Sequence, residues 1–267
     1  MLWHDTMQAL LTVAAVDYRI YPPFGRKATV AGSASGKTGE GSPPWAAATS
    51  ALQNVIEEEM PRRMRVEVLL SDRFVHYQVL PWRPGINSRA EWRAYAQHQF
   101  EAIYGEAARH WRMRIDIVPP GRESLACAIE TDLIDTLREV AHAGLSRIAT
   151  LRPNFLFSFG QRRTALRGAQ FWFAVVEADH VCLGAFRNGY WVALRNEPAP
   201  DGWREALPGM LRRAQYALAE PCAGSLYVCG ATGEAFEPFN IDATPVRILP
   251  ARTTQRRTVA QARIATG

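Results

Sequence analysis

Residues 31–38 read Ala-Gly-Ser-Ala-Ser-Gly-Lys-Thr and satisfy the loose Walker pattern of a phosphate-binding loop. Such a loop binds phosphate when it leads from a buried strand directly into a helix, because the first backbone N–H groups of the helix hold the anion. Here residues 39–44 follow, with two glycines and two prolines, and a helix does not run through such a stretch. We therefore predict that residues 32–44 form a loop and that the motif does not bind phosphate.

The other reactive side chains form no recognised catalytic or metal-binding pattern. No two of the six histidines have metal-ligand spacing, and neither H-E-x-x-H nor G-x-S-x-G occurs. The four cysteines form no C-x-x-C pair, and three lie in apolar runs, which indicates buried thiols in a reducing cytoplasm. A two-metal nuclease site needs acids at adjoining strand ends, but the first predicted strand, residues 9–16, carries none before Asp17. The sequence therefore predicts no catalytic residue and no metal ligand.

The composition is that of a folded, weakly basic protein. Eight Trp, eight Tyr and eleven Phe in 267 residues require a packed interior and exclude disorder of the whole chain. The basic residues, nearly all arginine, are spread along the chain and cluster only in the tail, so we expect no nucleic-acid partner. A nucleic-acid binder that uses the arginines of this tail is the third hypothesis. No signal peptide and no apolar stretch of membrane-spanning length is found. These features predict a soluble cytoplasmic protein that reaches a membrane only through a partner.

The hydrophobic pattern predicts an α/β protein in which one supersecondary unit occurs twice. The unit is strand, strand, strand, helix, strand. Its first copy comprises residues 9–16, 17–21, 27–30, 45–59 and 65–70. Its second copy comprises residues 170–177, 181–187, 190–195, 203–219 and 225–229. Two such units predict two sheets with a cleft between them.

Additional elements lie between the two copies. Residues 72–122 read as an inserted subdomain with a strand at 74–80, a helix at 88–110 and a strand at 112–118. A strand at 125–129, a helix at 131–142 and a strand at 145–151 follow. We thus predict a first half over residues 1–150 that contains the insertion, a second half over 151–250, and a flexible basic tail over 251–267.

Residues 68–82, Val-Leu-Leu-Ser-Asp-Arg-Phe-Val-His-Tyr-Gln-Val-Leu-Pro-Trp, resemble a segment of PilM-like proteins and of the cytoplasmic domain of the secretion protein GspL. Further short matches are Phe100 and Tyr104-Gly105 before Trp111, Trp172-Phe173, and Asn188-Gly189 before Trp191. The resemblance covers about residues 8–240. It implies an actin-like ATPase fold with two ribonuclease-H-like βββαβ halves and an inserted α+β subdomain. It also implies a place in the inner-membrane platform of a type IV pilus or a type II secretion system.

The resemblance further implies a nucleotide site, because actin-like proteins hold Mg-ATP between two hairpins. In this chain the site would lie near Asp17, Asp179 and Gly230. Neither predicted turn, at residues 14–19 and 177–180, contains glycine, and without glycine the backbone cannot easily approach a phosphate. We therefore expect no cofactor, with ATP and Mg²⁺ kept as the alternative.

Proteins of this family bind the cytoplasmic N-terminal segment of a membrane partner. Phe74, Tyr77 and Trp82 are close in sequence; aromatic residues of this kind mostly belong to a core, but with Arg73 they are the candidates to line a peptide groove. The expected function is a non-hydrolysing adaptor, held at the inner membrane by a single-pass assembly protein. The alternative is an active Mg-ATP-dependent ATPase or kinase of the same superfamily, with Asp17 and Asp179 near the metal.

Overall fold

Three β-sheets and five α-helices form the part of the chain that the computed structural model describes, residues 5–23, 27–37, 39, 41–59, 64–230 and 239–249. The predicted basic tail, residues 251–267, lies outside these residues. The strands are β1 (Thr6–Leu11), β2 (Ala15–Tyr21), β3 (Val30–Ser35), β4 (Arg65–Leu70), β5 (His76–Leu80), β6 (Trp111–Asp116), β7 (Ser124–Glu130), β8 (Arg147–Pro153), β9 (Gln170–Val176), β10 (His180–Arg187), β11 (Tyr190–Pro198), β12 (Leu226–Cys229), β13 (Phe239–Ile241) and β14 (Thr244–Ile248). The helices are α1 (Ala46–Glu59), α2 (Arg89–Tyr104), α3 (Thr131–Ala143), α4 (Asn154–Arg162) and α5 (Trp203–Ala217).

The two large sheets have the same topology. The first has the order β3-β2-β1-β4-β8, with β1 antiparallel to β2 and parallel to β4. The second has the order β11-β10-β9-β12-β14-β13, with β9 antiparallel to β10 and parallel to β12. In each sheet the helix that follows the third strand, α1 or α5, carries the chain across to the fourth strand. The predicted doubled βββαβ unit is therefore confirmed.

The third sheet belongs to the insertion, and its strand order is β5-β7-β6. Its elements run from residue 72 to residue 130, past the predicted end near 122, because β7 is the central strand between β5 and β6. Helix α2 covers one face and begins with the predicted capping box between Ser88 and Glu91. On that face the ring of His76 stacks on Trp111 with 3.9 Å between centroids, and burial lowers the pKa of His76 to about 4.

One apolar core connects all three sheets. It contains residues of the first half, of the insertion and of the facing side of the second sheet, and Phe155 of α4 lies within it. The Phe155 ring contacts the rings of Tyr77, Phe173 and Trp191. A separate core lies between the second sheet and α5, and a third lies under α2. The two halves are thus joined by shared apolar packing.

The Walker-like residues do not form the predicted loop. Residues 31–35 belong to the edge strand β3, and Thr38 lies outside the described residues. Small side chains are required here by close packing. A Cβ on Gly36 would lie 1.8 Å from the carbonyl oxygen of Ala47 in α1, and one on Gly32 would lie 2.6 Å from the Tyr18 hydroxyl. The glycine spacing is therefore explained by the approach of α1 and Tyr18.

We expect Gly36→Ala to lower the free energy of unfolding by about 1–3 kcal/mol, because the new methyl group forces strand and helix apart. Lys37→Ala is the matched control, since the Lys37 side chain is exposed, and its effect should stay within about 0.5 kcal/mol. Urea unfolding of both variants measures the difference. Equal effects of the two substitutions would contradict this explanation of the motif.

Candidate functional site

The ends of β4 and β9 meet where the two halves face each other. Ser71 and Asp72 follow β4, and Glu177 follows β9. The Ser71 hydroxyl donates a hydrogen bond to Glu177 Oε2, and the backbone N–H of Asp72 donates to Oε1 at 3.3 Å. The Asn154 amide, at the start of α4, also donates to Oε1, at 3.0 Å. Both carboxylate oxygens of Glu177 are therefore bonded to residues outside its own sheet.

Asp72 is a buried carboxyl group, with 1% of its surface exposed. Its Oδ1 accepts hydrogen bonds from the Tyr77 hydroxyl at 2.6 Å and from the backbone N–H of Phe155 at 3.1 Å. Within the described residues, its Oδ2 has no partner. Burial raises the pKa of Asp72 well above its ordinary value, and the negative charge of Glu177 raises it further. The site thus favours the protonated, neutral form of Asp72 beside Glu177, whose two carboxylate oxygens already accept hydrogen bonds.

Asn196 of β11 extends the same network. Its amide nitrogen donates to the backbone oxygens of Asp72 at 2.7 Å and Val75 at 2.8 Å. Its Oδ1 lies 2.8 Å from Nε2 of His180, which assigns the proton of the imidazole to Nε2. Burial lowers the pKa of His180 and so favours this neutral form. Asn196 therefore ties β11 to the turn that follows β4.

An ion pair closes the rim of this contact. Arg73 Nη1 lies 2.5 Å from Asp179 Oδ2, and the two side chains are 40% and 45% exposed. At such exposure an ion pair contributes about 0–1 kcal/mol, because water screens it. The residues of the network, which we call the interdomain lock, are Ser71, Asp72, Tyr77, Asn154, Glu177, His180 and Asn196, with Arg73 and Asp179 at its rim.

The three predicted nucleotide residues have different surroundings. Asp17 does not lie in a turn: the β1–β2 turn is formed by residues 12–14, and Asp17 is an exposed residue within β2, opposite Leu10 and Ser33. Asp179 lies in the β9–β10 turn, where it pairs with Arg73. Gly230 follows β12 and has a φ of +92°. A Cβ at this position would lie 2.2 Å from the backbone oxygen of Val176, so there is no room for a side chain. The structure therefore brings Asp179 and Gly230 to adjoining strand ends and leaves Asp17 in the other sheet.

Several groups near these residues are already bonded within the protein. Glu177 already accepts three hydrogen bonds, Asp179 is paired with Arg73, and both the N–H and the hydroxyl of Thr12 in the first turn are bonded to the Ala15 oxygen. Among the described residues, no group of three or more His, Cys, Asp or Glu side chains is arranged to hold a metal ion. The carboxylates that could bind Mg²⁺ at the β9–β10 turn, and the Thr12 groups that could donate hydrogen bonds to a phosphate, are thus bonded to other groups of the protein.

The four predicted partner-binding residues do not form a common surface. Phe74 and Tyr77 are buried, because the 3₁₀ turn Asp72–Phe74 directs Phe74 into the core and Tyr77 points at Asp72. The Arg73 side chain forms the rim ion pair with Asp179. Trp82 is 40% exposed and takes no part in the interdomain lock. The prediction that Phe74 and Tyr77 line an open groove is therefore wrong.

An open groove does exist elsewhere, at the junction of the insertion and the first half. Its volume is about 930 Å³, and it is lined by β6, β8, α3, the end of β7 and two residues of α2. Ile129, Ile134 and Leu137 give it an apolar wall. Its basic residues are Arg93, Arg112, Arg114, Arg138, Arg147 and His142. None of the lining residues is an aspartate or glutamate.

Two sheet edges face this groove. Strand β8 is the last strand of the first sheet and β6 is the last strand of the insertion sheet, as far as the structure describes the chain. Consecutive residues of each strand line the groove, at 111–114 and 147–151. Because side chains alternate between the two faces of a strand, a consecutive run indicates that the backbone edge itself is exposed to the groove.

Sequence reasoning missed most of both places. Glu177 was noted only as part of a turn, and Ser71, Asn154 and Asn196 were not singled out. The one available signal was the position of Ser71-Asp72 and Glu177 directly after strongly apolar strands, where polar residues of different strands can meet. The groove had no signal of its own, because its arginines come from four separate elements.

No protein-family model matches the sequence, and no curated protein matches it. None of the helices among the described residues is long and apolar enough to cross a bilayer.

Solved structures do match the fold. The cytoplasmic domain of EpsL, an inner-membrane component of the type II secretion system of Vibrio cholerae, superposes with a TM-score of 0.62 at 10% identity, covering 94% of this chain and 91% of that one. A chain of the PilM–PilN type IV pilus biogenesis complex gives 0.60 at 12% identity over 86% and 82%. A Bacteroides thetaiotaomicron protein with an actin-like ATPase fold and unknown function gives 0.57 at 13% identity over 87% and 84%. The chain therefore has the predicted actin-like ATPase fold and resembles PilM and GspL-type cytoplasmic domains in structure.

Proposed function

We propose that this protein is an adaptor in the inner-membrane platform of a type II secretion system or a type IV pilus. In this role the chain stays in the cytoplasm and takes the cytoplasmic N-terminal segment of a single-pass membrane protein into its groove. The partner then holds the adaptor at the membrane.

The observation that carries this proposal is the contrast between the two candidate places. The junction of the two halves is filled by the interdomain lock and by shared apolar core, whereas the groove beside the insertion is open. An open groove of about 930 Å³ with an apolar wall has the size and lining of a ligand site. Similarity to a chain of a PilM–PilN complex and to an inner-membrane secretion component supports the choice of partner class.

Co-purification tests the proposal. The tagged protein is expressed with each single-pass inner-membrane protein that a neighbouring gene encodes, and with a form of that protein that lacks its cytoplasmic N-terminal segment. We expect the truncation to abolish co-purification. Ala149→Trp, which fills the groove, should weaken the interaction at least tenfold, whereas Ala102→Trp on the exposed face of α2 is the control and should leave it unchanged. Binding that survives both the truncation and Ala149→Trp would contradict the groove as the docking site.

A second arm separates the adaptor from the ATPase or kinase alternative. Because Glu177 and Asp179 at the β9–β10 turn are engaged by protein groups, millimolar Mg-ATP should leave the melting temperature unchanged. A shift of several degrees that disappears in Asp179→Ala or Asp17→Ala would instead support the enzyme.

A further inference from the structure

The groove has a strong charge bias that selects among possible peptides. Five arginines line it, and no acid does. Arg138 is paired with Asp135 at 2.7 Å, but Arg93, Arg112 and Arg147 have no ion-pair partner within the described residues. Unpaired arginines in a concave site attract and orient carboxylates, which they can hold with two parallel hydrogen bonds.

Of the two open edges, β6 is the better template for an added strand. Strand β8 carries a bulge at Ala149, where the register against β4 shifts between Val66 and Glu67. A bulge interrupts the row of backbone donors and acceptors and is a common device against edge pairing. Strand β6 pairs with β7 without any shift over its full length. An extended segment can therefore continue the sheet β5-β7-β6 by hydrogen bonding to β6.

The side chains of β6 alternate in a way that defines the ligand. Trp111, Met113 and Ile115 are half-buried and pack on the α2 side, whereas Arg112 and Arg114 are exposed on the other face. Residues directly opposite on neighbouring strands share a face, so opposite charges there are favourable and apolar residues pair with apolar ones. The next residue on the arginine face is Asp116, which limits the attractive stretch to two positions.

We propose that the groove binds an acidic segment in extended conformation, which adds a strand to the edge of β6 and places two carboxylates, two residues apart, against Arg112 and Arg114. The residues between and beside these carboxylates are apolar and lie over Trp111 and Met113. This inference rests on the proposed function, because the segment is the part of the partner that enters the groove. It adds the charge, the spacing and the backbone pairing of that segment.

Selection from a random decapeptide display library on this protein tests the charge and the spacing. We expect enrichment of Asp or Glu at positions i and i+2 with apolar residues between them, and binding that weakens as salt is raised. Arg112→Glu combined with Arg114→Glu should reduce the affinity of selected peptides at least tenfold. Arg83→Glu combined with Arg89→Glu is the matched control, since these arginines are exposed outside the groove. Thermal melting confirms that both double variants are folded.

Backbone methylation tests the strand pairing. One selected peptide is made in two forms, with N-methyl groups on alternate amides that face β6 or on the intervening amides. Only the first form should lose binding, because a methyl group removes the N–H donor and blocks the approach of the neighbouring strand.

Three outcomes would overturn the inference: no selected peptide, selected peptides without acidic spacing, or equal effects of the two methylation patterns. If non-acidic peptides are blocked by Ala149→Trp, the groove keeps its proposed role and only the present inference fails. If the membrane partner also ignores Ala149→Trp, the proposed function fails with it.

Discussion

Glu177→Ala is expected to lower the free energy of unfolding by about 3 kcal/mol, because three donors lose their acceptor at once. The Ser71 hydroxyl, the Asp72 N–H and the Asn154 amide all bond to this carboxylate. A hydrogen bond to a charged group contributes about 1.5–3 kcal/mol, and a donor left unpaired away from water costs about 1–3 kcal/mol. The total stays below the sum of three such terms, because the substitution also removes the repulsion between the Glu177 charge and the Asp72 carboxyl, which raises the pKa of Asp72.

Asp179→Ala is the matched control for this variant. Asp179 is a carboxylate two residues further along the same turn, and its ion pair with Arg73 is close to half exposed, so its loss should cost less than about 1 kcal/mol. Urea denaturation at constant pH gives both values. A double-mutant cycle of Glu177→Ala and Ser71→Ala then isolates the coupling energy between Glu177 and Ser71, which lie in different halves of the molecule. An effect of Glu177→Ala no larger than that of Asp179→Ala would show that the three hydrogen bonds to Glu177 add no more stability than the exposed ion pair.

The doubled unit could be predicted from the sequence because the strands and helices of both copies have clear local hydrophobic patterns. Apolar strands such as Arg65–Leu70 and Gln170–Val176 stand out from the polar segments around them, and the order of the elements repeats. The third strand is predicted at residues 27–30 but lies at Val30–Ser35, since the alanines, glycine and serines of residues 31–35 carry no hydrophobic pattern. Helix α4 was not predicted as an element, because its Phe-Leu-Phe-Ser-Phe run lacks a polar face that would mark a surface helix.

The sites were harder to predict, because they depend on contacts between residues far apart in sequence. Ser71 and Glu177 are separated by 106 positions, and neither has a local signal for the other. The buried state of Phe74 and Tyr77 follows from the face on which the insertion meets α4, which an aromatic-rich stretch does not reveal. The residue types therefore marked this segment as a candidate contact surface, but they did not reveal that its aromatic side chains are buried and that Tyr77 belongs to the interdomain lock.

The lock joins the two halves of the actin-like fold through contacts that the protein itself supplies. In this chain the ends of β4 and β9 are held together by protein hydrogen bonds, and the apolar core continues from one half to the other. Two halves joined in this way do not depend on a ligand between them for their relative position. The insertion, whose Tyr77 donates to Asp72, is fixed by the same contact, and so is the groove that the insertion borders.

Asp72→Asn is expected to stabilise the protein increasingly as the pH rises. In the unfolded chain this carboxyl titrates near its ordinary pKa of 3.8, whereas in the folded protein burial and the charge of Glu177 raise its pKa well above that value. The folded state therefore keeps a proton that the unfolded state has lost. Consequently the contribution of Asp72 to the free energy of unfolding is fully present below pH 3.8. Above that pH it falls by about 1.4 kcal/mol per pH unit, until the pH reaches the raised pKa. Asparagine does not ionise, so the variant avoids this loss.

Asparagine also preserves the geometry that Asp72 needs. Its carbonyl oxygen can accept from the Tyr77 hydroxyl and from the Phe155 N–H, and its amide group occupies the position of Oδ2, which has no partner among the described residues. The variant therefore removes the ionisable group while keeping the two hydrogen bonds that hold the insertion and α4 together.

The measurement is urea unfolding of the wild type and of Asp72→Asn between pH 4.5 and 8.5, with Asp116→Asn, an exposed carboxyl in β6, as control. His76, whose pKa is lowered to about 4 by burial, destabilises the folded state as the pH falls below 6.5, but it does so equally in each protein and cancels in the difference. The stability gained by Asp72→Asn should grow steadily with pH, and that of the control should stay flat. A gain that is constant from pH 4.5 to 8.5 would mean that Asp72 is ionised throughout this range in the folded protein, and that the lock contains two carboxylate charges instead of one.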